Sequence, residues 1–198
     1  MGGRKRMVTL DINGIRRRRG ALKVSRNLAP GVTVLADLEY GLPFKDDTVE
    51  EVYLDHTLEN VQDLMKVMRE LWRVCRAGAL LHIWASHATS AWASTRNPGQ
   101  KRLYTIETFE FFDPQKNRLA PPDAAFEIEH SRLYLTTMRQ GQRPRLTGGL
   151  ISSVVESLAN KDRGSQYRWE RWLGPLIGFE EFFVLLATVK APPWAEEP

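Results

Sequence analysis

Two histidines stand where a chain could do acid-base chemistry. His56 follows the apolar-rich run Val49 to Asp55, and His87 follows Ala79 to Ala85 by two residues. Both runs read as strands, so each imidazole is expected at a strand's carboxyl end. A neutral imidazole there can take a proton from a hydroxyl or an amine near neutral pH. Each serves equally well as a hydrogen-bonding loop residue, and both readings stay open. Asp37, after the β-branched run Val32 to Ala36, offers a carboxylate at a third strand end. It can accept a hydrogen bond from a ligand or start a turn by bonding its own backbone. His82, inside the second of the two runs, reads as structural. The four histidines, His56, His82, His87 and His130, show no close ligand spacing with cysteine or carboxylates, so no metal site is expected. The single cysteine, Cys75, falls in a helical stripe and reads as a small buried hydrophobe.

The elements that must hold these groups can be traced in the pattern. Val61, Leu64, Met65, Met68, Leu71, Trp72 and Cys75 recur at three- and four-residue intervals, which predicts an amphipathic helix closed by Arg73, Arg76 and Gly78. A strand, this helix and the buried strand Ala79 to Ala85 make a parallel, right-handed crossover unit. Upstream, Met7 to Ile12, Ala21 to Val24 and Val32 to Ala36 read as short strands. Downstream come a short helix over Ile106 to Phe112, a strand over Phe126 to Thr137 and a mobile loop over Gln140 to Thr147. A helix over Leu150 to Ala159, an aromatic helical turn over Tyr167 to Leu173 and a final strand over Glu181 to Lys190 complete the pattern.

With 198 residues, 42% of them hydrophobic, the chain can bury one sizeable core, and residues 1–190 are expected to form a single domain with a disordered tail at 191–198. Its apolar runs fall far short of the roughly 20 residues of a membrane span. The basic N-terminal residues are not followed by a signal-type apolar stretch, so a cytoplasmic location is expected. The net charge of +4 is concentrated in Arg4 to Arg6 and in Arg16, Arg17, Arg18 and Arg19. Such a run suits either an anionic partner, nucleic acid included, or a solvated loop.

Four segments in order carry a resemblance. They are Ala36-Asp37-Leu38-Glu39-Tyr40-Gly41-Leu42-Pro43, Phe44 to Asp47, Val52 to Glu59 with its His56-Thr57-Leu58-Glu59, and Arg69 to Gly78 with its Glu70-Leu71-Trp72-Arg73-Val74. Together they resemble the small class I S-adenosylmethionine-dependent methyltransferases. The resemblance implies an α/β, Rossmann-like fold: a mostly parallel sheet with an antiparallel final strand and abbreviated N-terminal helices. It implies S-adenosyl-L-methionine as cofactor, held by Gly14, Asp37, Leu38 and His56, with Asp37 on the adenine amino group and Leu38 on its face. It also implies methyl transfer to a small or medium-sized acceptor, with His56 or His87 as base. The aromatics Trp84, Trp92, Tyr104, Phe109, Phe111 and Phe112 follow the fifth strand, where this fold builds its acceptor pocket; they could equally be core.

The sequence also departs from that pattern. The glycine-rich turn after the first strand is reduced to Asn13-Gly14, and Ser25 stands where an acidic residue usually binds the ribose hydroxyls. A catalytically degenerate binding or scaffolding subunit is therefore the alternative function. Only Ile15 to Gly20 separates the first two strands, too short for a crossover helix. The expected consequence is an uncovered face near Val8, Leu10, Leu22 and Val24, closed by a homodimer, by a partner chain, or by Val154, Val155, Leu158 and Trp169 folding back.

Overall fold

A computed structural model of the chain describes residues 8–14, 18–90, 99–117, 123–135 and 146–190. Expectations for the tail at 191–198, for Arg16 and Arg17, for Trp92 and for most of the Gln140 to Thr147 loop lie outside the described residues. Seven strands form one sheet. They are β1 (Val8–Ile12), β2 (Leu22–Ser25), β3 (Val34–Leu35), β4 (Val49–Asp55), β5 (Cys75–Ser86), β6 (Ala125–Tyr134) and β7 (Glu181–Val189), in the order β3-β2-β1-β4-β5-β7-β6. The first five run parallel, and β7 runs antiparallel to both β5 and β6. This is the mostly parallel α/β sheet expected from the sequence.

Helix α1 (Leu64–Val74) begins at Asp63, whose side chain accepts from the Lys66 amide, and ends one residue earlier than its apolar stripe, because Cys75 already pairs with Val49 at the start of β5. Its Leu64, Val67, Met68 and Leu71 are buried together with Leu10, Ile12, Val24, Val52, Leu54, Leu81 and Ile83 in the core. Leu10 and Val24 are fully buried, and Val8 and Leu22 pack against the same core. The expectation that these four residues form the uncovered face is thus corrected. Side chains alternate along a strand, and the set that remains half-exposed is the other one, including Tyr53, His82, Trp84 and Phe183.

That opposite face is finished by stacking. Neither the β1–β2 nor the β2–β3 connection contains a helix among the described residues. Instead the Arg18 guanidinium lies 3.6 Å from the centre of the Tyr53 ring and 5.5 Å from that of Trp84. Tyr53 stacks on His82 at 4.3 Å, and Trp84 meets Phe183 at 4.5 Å. At least one member of the arginine run therefore has a packing role beside any ligand role.

The short helix α2 (Glu107–Glu110) buries Phe109, which with Phe112 and Tyr104 belongs to the core. Helices α3 (Leu146–Ala159) and α4 (Arg163–Arg168), a π-helical turn (Trp169–Leu173) and α5 (Gly174–Ile177) precede β7. Asn160 exchanges bonds with the backbone of Leu133, and Gln166 donates to the Ser131 carbonyl, so this segment is tied to β6, four strands away from β1 in the sheet. Val154 and Leu158 are exposed, which rules them out as a substitute layer over β1 and β2, whereas Trp169 packs on the core.

If Arg18 finishes the face, Arg18→Ala and Tyr53→Ala should be coupled. A double-mutant cycle read by denaturant unfolding is expected to give about 0.5–2 kcal/mol of interaction. A coupling near zero would make Arg18 an ordinary solvated side chain.

Candidate functional site

The carboxyl ends of β1, β3 and β4 enclose a cavity of about 230 Å³, lined by residues that include Ile12, Asn13, Asp37, Leu38, His56 and Thr57. Its position follows from the sheet order, since ligands of parallel sheets bind beyond the strand ends where the connections diverge. Asn13 lies in the left-handed region at φ 55°, a conformation for which glycine is the usual residue. Gly14 answers to a different need: a Cβ there would run into the Asp11 carboxyl group folded beneath the turn. Asp37 lines the cavity and at the same time starts a turn, its Oδ1 accepting from the Glu39 amide at 3.0 Å. Leu38 is shared between the cavity wall and the core.

The turn carrying Asp37 and Leu38 is held from below by α1. Glu70 accepts from the Leu42 amide at 2.6 Å and from Arg73, and the Arg73 guanidinium donates to the carbonyls of Leu42 and Phe44. The Arg73 charge and the Leu42 amide keep the Glu70 carboxyl below its usual range, against the opposing effect of burial. The spacing Glu-x-x-Arg puts both side chains on one helix face, where a single turn of helix can grip a neighbouring loop.

His56 takes a left-handed backbone at φ 50° and turns its ring into a buried ionic cluster. Nδ1 donates to Glu59 Oε1 at 2.7 Å, and Nε2 lies 3.3 Å from Glu181 Oε1; the three side chains are 6%, 3% and 3% exposed. Glu59 Oε1 also accepts from the Ser86 amide at 2.8 Å, while its Oε2 is buried with no hydrogen-bond partner among the described residues. Burial alone would lower the imidazole pKa, but the two carboxylates outweigh it and push it up to about 9. The two carboxylates thus favour the protonated imidazolium at neutral pH.

His87 stands apart from this cavity. Its ring is wholly buried, Nδ1 accepts from the Thr89 amide at 3.1 Å, and Nε2 donates to Glu170 at 2.8 Å. Glu170 takes the Ile106 amide too, so this histidine ties β5 to the π-helical turn and does not line the cavity. His82 stands on the half-exposed sheet face, 3.0 Å from Glu51. Glu59 and Glu181 were not singled out by sequence reasoning. For Glu59 the signal was present, three residues after His56 in the His-x-Leu-Glu segment; Glu181 reaches His56 only through the antiparallel pairing of β5 and β7.

Comparison with known proteins agrees with this fold. A family model described as a methyltransferase domain matches residues 3–83. The matched segment is thus similar to a methyltransferase domain, and the mostly parallel sheet is the Rossmann-like fold of the methyltransferase structures it superposes on. A demethylmenaquinone methyltransferase from Streptomyces avermitilis is 32% identical over 147 residues, 67% of this chain and 61% of that protein, so the chain spans about three fifths of that relative. Among solved structures, the YcgJ protein from Bacillus subtilis superposes with a TM-score of 0.53 at 14% identity, covering 95% of this chain and 94% of that one. A geranyl diphosphate C-methyltransferase from Streptomyces coelicolor A3(2), solved with S-adenosyl-L-homocysteine, gives 0.54 at 13% identity, covering 93% and 74%.

Because folding raises the His56 pKa from 6.5 to about 9, the stability it contributes is complete below pH 6.5 and is lost as pH rises through 9. Stability measured by urea unfolding is expected to fall by up to about 3 kcal/mol across that window, from the size of the shift. His56→Gln should remove this slope. An unchanged slope in the variant would assign it to another group.

Proposed function

We propose that the chain binds S-adenosyl-L-methionine at the carboxyl ends of β1, β3 and β4 and transfers its methyl group to a small or medium-sized acceptor. The observation that carries this reading is the cavity itself, which brings Asn13, Asp37, Leu38 and His56 to one place beyond the sheet. Asp37 would accept from the adenine amino group and Leu38 would pack on its face. The turn at Asn13 and Gly14, tight against Asp11, would face the methionine end. The cavity is somewhat below the roughly 300 Å³ at which small-molecule sites usually begin, which suits the adenosine part of the cofactor. Bound cofactor supplies an electrophilic methyl group; the protein's part is to align the acceptor. With His56 charged and His87 buried elsewhere, the acceptor must bring its own nucleophile in reactive form, as an acidic ring hydroxyl or activated ring carbon does. The name of the Streptomyces avermitilis relative points to a ring acceptor of this kind.

A degenerate, non-catalytic subunit is the second reading. What favours it is the end of β2, where Ser25 is followed by Arg26 and Asn27 and both of the latter line the cavity where ribose hydroxyls would need an acid. For assembly, we place a second copy of the chain on the half-exposed sheet face. That face presents Tyr53, Trp84 and Phe183, half-exposed aromatic surface that a second copy would cover.

Calorimetry with S-adenosylhomocysteine separates the first two readings. Micromolar binding that weakens tenfold or more in Asp37→Ala, about 1.4 kcal/mol, is expected. No detectable binding at millimolar ligand would overturn the cofactor reading in favour of the degenerate subunit. Light scattering at micromolar concentration should show a dimer that Phe183→Glu dissociates. A monomeric unaltered chain would defeat the assembly.

A further inference from the structure

We infer that the helical segment 163–177 is a membrane-contact surface, which lays its outward side on the headgroup boundary of an anionic lipid bilayer.

The segment runs through α4, the π-helical turn and α5, and its polarity is inverted. On the side turned to the protein, Ser165, Gln166 and Glu170 are buried beside Trp169. Each polar group is bonded there: Gln166 donates to the Ser131 carbonyl, Glu170 accepts from His87 and from the Ile106 amide, and Ser165 donates to Asp162. The side turned to solvent carries the large apolar residues instead. Trp172 is 70% exposed and Leu176 83%, with Tyr167, Leu173 and Ile177 exposed around them. A surface helix in water keeps its apolar stripe inward, so this arrangement fits a helix whose outer neighbour is itself apolar.

The segment is also seated closely. A Cβ on Gly174 would come within 3.1 Å of Thr89 Cγ2, and the Phe179 amide donates to Thr89 Oγ1 at 2.9 Å. With the bond from His87 to Glu170, these contacts fix the segment against the residues just past the end of β5. That is the same edge of the sheet as the cavity.

Charge selects the occupant. Arg168 and Arg171 are exposed among the apolar residues, and the one carboxylate of the segment, Glu170, is buried against His87. A second copy seated two-fold on this side would set the same arginines against each other, with no exposed carboxylate of the segment to meet them. An anionic bilayer suits both kinds of residue. Acyl chains take Leu176 and Ile177, the interface takes the rings of Trp172 and Tyr167, and lipid phosphates take the two guanidiniums. No helix among the described residues is long and apolar enough to cross a membrane, and this segment lies along the bilayer surface.

The test is co-sedimentation of the purified chain with vesicles of mixed phosphatidylglycerol and phosphatidylcholine, and with vesicles of phosphatidylcholine alone. Binding to the mixed vesicles is expected, weakening as salt is raised. Trp172→Glu and Leu176→Glu should each weaken it about tenfold or more. The double variant Arg168→Ser, Arg171→Ser should lose most of the preference for the anionic lipid. Leu35→Glu, which alters another exposed apolar residue on the edge strand β3, should leave binding unchanged. Circular dichroism establishes that each of these surface variants folds. Absence of binding to the mixed vesicles, or binding that neither Trp172→Glu nor Leu176→Glu weakens, overturns the inference. Light scattering addresses the other occupant: self-association that Leu176→Glu abolishes, without vesicle binding, assigns the side to a second copy and equally overturns it.

Discussion

A charged imidazole buried between two carboxylates is the joint on which the carboxyl edge of the sheet depends. Through His56, Glu59 and Glu181 it connects the segment after β4 to the start of β7, and through the Ser86 amide it reaches the end of β5. Breaking such a pair by removing one partner leaves an uncompensated buried charge, with a typical cost of about 3–5 kcal/mol. Apolar side chains could fill the same volume at no loss of stability. They could not supply directional bonds that lock three chain segments into one relative position.

The second constraint is mechanical. Asp37 and Leu38 sit on a loop, and a loop holds a geometry only if something grips it. Glu70 and Arg73 provide that grip from one face of α1, bonding the backbone at Leu42 and Phe44. The helix in turn is fixed by burial of Leu64, Val67, Met68 and Leu71. The path from apolar stripe to helix, from helix to loop and from loop to cavity wall is short. It explains why the segments Ala36 to Phe44 and Arg69 to Gly78 occur together.

The parallel half of the sheet shows how little connection a strand crossover needs. Where a helix would ordinarily lie between β1 and β2, Arg18 stretches over Tyr53 and Trp84, its guanidinium against their faces. Long cationic side chains cover apolar surface along their stems while the charged head stays near water. A cross-strand stack of Tyr53, His82, Trp84 and Phe183 completes the surface. Without this stack a half-exposed parallel sheet would present separate aromatic rings to solvent. The saving in chain length is matched by a face that is neither fully covered nor freely wet.

Much of this was legible in the sequence, because it is written in local periodicity and local spacing. The three- and four-residue stripe of α1, the alternating β-strands and the order of the motif segments specify the sheet class and the cavity's place at the strand ends. Even the Glu70 and Arg73 pair is a local fact of helix geometry. What the chain alone could not show is anything that depends on strand parity or on contacts between distant segments. A shift of one residue moves a side chain to the other face of a sheet, so Leu10 and Val24 proved to be core and Tyr53 and Trp84 the open side. The chemical state of His56 was equally out of reach. An isolated histidine is a neutral base near pH 7, and only the pairing of β7 against β5 brings Glu181, 125 positions away in the sequence, to the ring that Glu59 already holds. Sequence placed the imidazole at the site; the tertiary structure decided its charge.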